Sequence, residues 1–173
     1  LAIAKERLTK IFDEKNIIIE KMDVTDKNAI NEVSKKFVNQ NMRIDILINN
    51  AAIDPKMTKE KEVDTSSRFE NFDIDQWNLE LNVGLSGAFL CSQIFGSKMA
   101  EDDKGGVILN IASDLSVISP DQRLYMQDGI SKNMQKVKPV TYSVIKTGLI
   151  GMTRYLATYW LNSGIRCNAL SPG

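Results

Sequence analysis

The chain has no histidine and only two cysteines among its 173 residues, and both shortages narrow the chemistry open to it. Without imidazole there is no Ser-His-Asp triad, no Cys-His dyad and no histidine-ligated zinc site, so no metal centre is expected. Cys91 and Cys167 lack the short spacing of metal ligands, and two thiols are too few for a disulfide scaffold, which points to a reducing cytoplasm. Charge excess is missing as well. Lys plus Arg is 22 and Asp plus Glu is 22, so the long-range electrostatic basis for binding nucleic acid or an anionic membrane is absent. Apolar runs break off before the roughly 18 positions of a membrane span, and Leu1 to Lys10 carry no signal-peptide block. No membrane association is expected.

What is present is a regular alternation of helical and strand patterns. Leu1, Ala4, Leu8, Ile11 and Phe12 recur at helical spacing, and the β-branched run Ile17, Ile18, Ile19 reads as a strand over Asn16 to Met22. Ile30, Val33, Phe37 and Val38 mark a second helix over Asp26 to Asn41, and Arg43 to Ile48 a second strand. The stretch from Pro55 to Asn71 is polar. Asp73 or Asp75 then caps a long helix reaching about Met99, with Trp77, Leu81, Leu85 and Phe89 on its apolar face. Val107 to Ile111 reads as a strand, Thr141 to about Leu161 as a helix and Gly164 to Leu170 as a last strand. Short buried strands alternating with helices predict an α/β fold with a parallel sheet covered on both faces. The 173 residues are expected to form a single domain, or part of one, with no repeat and no low-complexity segment.

Tyr142 and Lys146 stand four positions apart near a predicted helix start and so share one face. A group that gives or takes an alcohol proton near neutrality cannot be an ordinary phenol, which ionises near pH 10. Bringing that value to about 7 needs about 4 kcal/mol of differential stabilisation. A neighbouring ammonium, a cationic ligand and the positive end of a helix can together supply it. The pair alone is weak evidence, since Tyr and Lys at this spacing are common on helices.

Further segments stand in order around the pair: Asn49-Asn50-Ala51-Ala52, Leu81-Asn82-Val83-Gly84, Asn110-Ile111-Ala112-Ser113, Asp23-Val24 and Asn168-Ala169-Leu170-Ser171-Pro172-Gly173. Together with Tyr142-Ser143-Val144-Ile145-Lys146 they resemble the short-chain dehydrogenase/reductase family, with Ala52 in place of that family's usual glycine. The resemblance implies a Rossmann-like, doubly wound parallel sheet and an NAD- or NADP-dependent oxidoreductase that moves hydride between nicotinamide and a carbonyl or alcohol. It implies a tetrad in which Ser113 hydrogen-bonds the substrate oxygen and Tyr142 is the acid/base. Lys146 would bind the ribose and favour phenolate, and Asn82 would hold a relay water. It further implies cofactor contacts from Asp23 and Val24 at the adenine, from Asn50, Ala51 and Ala52 at the second strand's end, from Tyr142 and Lys146, and from Pro172 and Gly173 beside the nicotinamide. Taken singly, Ser113 remains open as a turn residue, Asn82 as a solvated helix residue and Asp23 as a turn former.

By the same resemblance the chain starts after the family's first strand, glycine-rich turn, first helix and second strand. It stops before the substrate loop and seventh strand. A partial dinucleotide-binding oxidoreductase domain is therefore expected over 1–173. Tyr142 follows Ser113 by 29 positions, across an enlarged loop with Arg123, Lys132, Lys136 and Lys138. These cations are candidates for holding a phosphorylated or nucleotide-linked sugar, and the segment is similar to dehydrogenases of bacterial surface-sugar and flagellin modification. The Trp77 and Tyr142 helices carry more apolar residues than one core face needs, and the resemblance, in which these two helices pair across a two-fold axis, implies a homodimer or homotetramer. Two alternatives are a nucleotide-sugar epimerase or dehydratase, which shares the Tyr and Lys pair, and a non-catalytic dinucleotide-binding protein.

Overall fold

The computed structural model describes residues 2–53, 65–102 and 104–173. Three strands, β1 (Ile46–Asn49), β2 (Gly106–Ile111) and β3 (Ile165–Leu170), pair in parallel in the order β1-β2-β3. Ahead of them come helices α1 (Ala2–Thr9) and α2 (Lys27–Asn39). Between β1 and β2 runs a continuous rod over 74–101. It consists of α3 (Ile74–Leu81), α4 (Gly87–Cys91) and α5 (Ser97–Glu101), joined by π-helical turns at Asn82–Ser86 and Ser92–Gly96. Between β2 and β3 lies α6 (Val140–Tyr159).

Local chemistry sets the boundaries. Asp73 rather than Asp75 caps the rod, its carboxylate accepting from the N–H groups of Asp75 at 2.9 Å and Gln76 at 3.0 Å, a cap worth about 1 kcal/mol. Asp26 caps α2 in the same way. Pro139 precedes α6, where its missing N–H costs nothing. Gly164, in the left-handed region at φ 68°, turns the chain into β3.

One expectation needs correction. The run Ile17–Ile19 forms no strand: Ile17 is extended, but no neighbouring strand pairs with the run among the described residues, so it has no ladder to join. Among the described residues the rod and α6 lie on one face of the sheet. Both crossovers step along the sheet in one direction, and right-handed connections then put the rod and α6 on one side. Residues on that side alternate into the core. Ile108, Ile165 and Cys167 pack with Met99 and Leu156, while Ile30, Cys91 and Phe95 close around Leu47. Burying a side chain such as Ile108, which has no exposed surface, contributes roughly 1.5–3 kcal/mol. On the opposite side Ile46 and Ile48 are more than half exposed. Part of the polar stretch read at 55–71 lies outside the described residues.

Candidate active site

The carboxyl ends of β2 and β3 run on together past the sheet. Ala112 N–H donates to the Leu170 carbonyl at 2.8 Å and Asp114 N–H to the Pro172 carbonyl at 3.0 Å. This brings the Pro172-Gly173 end beside the Ser113 turn. Ser113 is buried and caps the turn Asp114–Ser116, its Oγ accepting from Leu115 N–H at 3.2 Å and donating to Asp114 Oδ1 at 2.8 Å. The hydroxyl expected to meet substrate is thus also a turn cap here.

Helix α6 is pinned to this edge. Lys146, buried at 7% exposure, donates from Nζ to the Ile111 carbonyl at 2.7 Å, two residues ahead of Ser113. A buried ammonium needs such an acceptor to offset its desolvation. One turn earlier stands Tyr142, half-buried, its ring centroid 5.5 Å from Lys146 Nζ. Thr147 adds a bond from its hydroxyl to the Ser116 carbonyl at 3.1 Å. Ser113, Tyr142 and Lys146 thereby gather where α6 crosses the end of β2. Asn82 opens the π-helical turn whose Gly84 lies against Ile145, where an added Cβ would come within 2.8 Å of the Ile145 side chain. The Asn82 side chain is exposed, and among the described residues it makes no hydrogen bond.

The expected cofactor contacts divide. Asn50, Ala51 and Ala52 are exposed just beyond β1, and Gly173 approaches the Asp114 carboxylate. Small exposed groups at the carboxyl edge of a parallel sheet suit the close approach of a dinucleotide. Asp23 accepts from Thr25 N–H at 2.9 Å and from the Thr25 hydroxyl at 2.8 Å. These bonds, the backbone one foremost, hold its carboxyl below the usual range. Val24 packs toward the Ile30, Cys91 and Phe95 cluster.

Several residues of the site's foundation escape a sequence reading. Asn49 and Asn110 face each other in register, and Asn49 Nδ2 donates to Asn110 Oδ1 at 2.8 Å and to Ser92 Oγ at 3.0 Å. Asn110 Nδ2 donates to Thr153 Oγ1 at 2.8 Å. This belt ties β1, β2, the rod and α6 together in the interior. The available signal is an inward asparagine at the end of β1 and another one residue before the end of β2. Glu80, 2% exposed, accepts from the Thr141 hydroxyl and from Gln76 Nε2, locking the rod to the first turn of α6.

In the enlarged loop, Arg123 turns to Asp121 at 2.7 Å with its side chain 85% exposed. Lys138 instead reaches the site, its Nζ 3.8 Å from the Tyr142 ring centroid. A cleft of about 590 Å³ opens alongside, with Arg68, Phe69, Val117, Lys138, Ser143 and Thr147 in its wall. Both cysteines are free and buried, and burial pushes the Cys91 thiol up to about 11.

Residues 2–173 match the family model described as enoyl-(acyl carrier protein) reductase. A 3-oxoacyl-[acyl-carrier-protein] reductase of Thermotoga maritima is 31% identical over 99% of this chain and 61% of its own length. A 2-dehydro-3-deoxy-D-gluconate 5-dehydrogenase of Bacillus subtilis is 33% identical over 88% of this chain and 49% of its own. The crystal structure of a short-chain dehydrogenase from Leptospira borgpetersenii with bound NAD+ superposes with a TM-score of 0.74. It is 34% identical over 89% of this chain and 52% of that one. The sheet and helices described above thus have the Rossmann-like architecture of short-chain dehydrogenases. The chain spans about half the length of such relatives.

Proposed function

The chain belongs to the short-chain dehydrogenase/reductase family, and from that premise we propose that it carries the catalytic centre of an NAD- or NADP-dependent oxidoreductase. The observation that carries this reading is the buried Lys146 ammonium held on the Ile111 carbonyl, one turn from Tyr142 and beside the Ser113 turn. When bound, the nicotinamide cofactor supplies or accepts the hydride. Tyr142 gives or takes the proton at the alcohol oxygen, and Lys146 favours the charged phenol and reaches the ribose. Ser113 turns its hydroxyl from Asp114 to the substrate oxygen, and the exposed Asn82 amide holds a water on the proton path. Asp23, Val24, Asn50, Ala51, Ala52, Pro172 and Gly173 line the dinucleotide.

The substrate is a small carbonyl or alcohol derived from a sugar, within surface-sugar or flagellin modification. The sugar-acid dehydrogenase among the relatives supports a polyhydroxylated substrate, and the cation-bearing loop supports an anionic group on it. The assembly is a homodimer or homotetramer, supported by the exposed Leu79 and Phe89 on the rod and Tyr155 and Tyr159 on α6. The enzyme acts in the cytoplasm, which its two buried thiols suit. Among the described residues no helix is long and apolar enough to cross a membrane.

The test is a screen of the full-length protein against polyols, sugar acids and their keto forms, following nicotinamide absorbance. Tyr142→Phe is expected to lower kcat by about 10²–10⁴-fold, while cofactor still binds by fluorescence titration. Retention of near-normal kcat in that variant overturns the reading.

A further inference from the structure

Lys138 and Lys146 lie four residues before and four after Tyr142, but only Lys146 belongs to α6. Lys138 reaches the ring from the chain ahead of Pro139, and its Nζ is nearer the ring centroid, at 3.8 Å against 5.5 Å. Its backbone is clamped from the enlarged loop: Lys138 N–H donates to Gln122 Oε1 at 2.8 Å, and Gln122 Nε2 donates to the Lys138 carbonyl at 3.3 Å. A cation within about 6 Å of an aromatic centroid is attracted to the ring. Once the phenol loses its proton the ring system carries net negative charge, so the attraction grows.

We propose that Lys138 is a positioning residue for Tyr142, a second cation that holds the ring and favours its deprotonated form, set in place by Gln122. This rests on the reading of Tyr142 as the acid/base. Among the described residues, Lys146 of α6 is on the Ile111 carbonyl, Asp114 after β2 takes the Ser113 hydroxyl, and Glu80 of α3 takes the Thr141 hydroxyl and the Gln76 amide. Lys138 is the loop cation whose distance to the ring lets the enlarged loop act on the phenol. The loop's length, unusual for the family, then has a chemical use besides substrate contact.

The experiment is the pH profile of kcat and kcat/KM for alcohol oxidation by the full-length enzyme, with Lys138→Gln, Lys138→Arg and Gln122→Ala beside the unaltered protein. Lys138→Gln is expected to move the acid limb up by about half a pH unit and to lower kcat near neutrality about threefold. The KM for cofactor should change less than about twofold. Lys138→Arg restores the limb because it keeps the charge, and Gln122→Ala moves it part of the way. Superimposed profiles for Lys138→Gln and the unaltered enzyme overturn the proposal, as does a Lys138→Arg enzyme displaced as far as Lys138→Gln. An inactive Tyr142→Phe enzyme beside an unmoved Lys138→Gln profile removes this inference alone. An active Tyr142→Phe enzyme removes the reading on which it stands.

Discussion

Beneath Tyr142 and above it the molecule is held together in different ways. Below, the bonds are long in sequence and buried: Asn49 to Asn110 joins positions 61 apart, Asn110 to Thr153 joins positions 43 apart, and Lys146 to Ile111 joins positions 35 apart. Above, in the loop from Val117 to Lys138, the bonds are mainly local. Arg123 closes on Asp121, Gln135 donates to the carbonyls of Gln127 and Ile130, and Gln122 clamps Lys138. A tie to the rest of the molecule comes from Val137 N–H on Ser67 Oγ at 3.1 Å. The lower region is specified by several elements at once, so its geometry resists change. The upper one specifies itself, so its sequence can vary with substrate while the centre below stays fixed.

That contrast can be broken from below with the largest effect. Lys146→Met keeps the apolar stem but removes the ammonium, so kcat/KM is expected to fall by about 10²–10⁴-fold. Steady-state kinetics of the full-length enzyme check this, and a loss under tenfold counts against the role of Lys146. Next comes Asn110→Ala. It leaves Asn49 and Thr153 without their buried partner, at a cost of about 2–4 kcal/mol in a denaturant melt. A cost under about 1 kcal/mol means that the belt is not what fixes the register. The smallest effect is expected above. Arg123→Glu removes an exposed local ion pair and is expected to leave the denaturant midpoint almost unchanged. It also leaves KM within about twofold, because the guanidinium is committed to Asp121. A large rise in KM would return Arg123 to the substrate role that its charge and loop position suggest in the sequence.

The parts of the fold legible in the sequence are those carried by periodicity and end signals. The rod, α2, α6 and all three paired strands are found where apolar spacing puts them, within a few residues. The Ile17–Ile19 run misleads because β-branched composition records a preference for extended chain, whereas a strand also needs a partner. Val107, Leu109 and Ile111 are apolar on one side and Ile108 on the other, which suits burial of either face, and only the crossover directions say which side the described helices take. In the candidate site, Tyr142, Lys146 and Ser113 stand out in the sequence through the family resemblance of their ordered segments rather than through spacing alone. The asparagine belt and the Glu80–Thr141 pair do not, since polar residues brought together from distant positions leave no local pattern. Lys138 was visible only as one of several loop cations. Its distance to the ring, rather than its charge, sets it apart from Lys132 and Lys136.

The register that sets Asn49 opposite Asn110 also bears on the order of events as the chain folds. Parallel strands cannot meet through a hairpin, so the pairing of β1 with β2 has to close over the segment that carries the rod, and that of β2 with β3 over the segment that carries α6. Ser113, Tyr142 and Lys146 sit on the second of these closures. The groups of the candidate centre therefore depend on contacts of long sequence separation, which are slow to form. A chain that has gained its helices but not this pairing holds every residue of the centre without yet having a place for a reaction to occur.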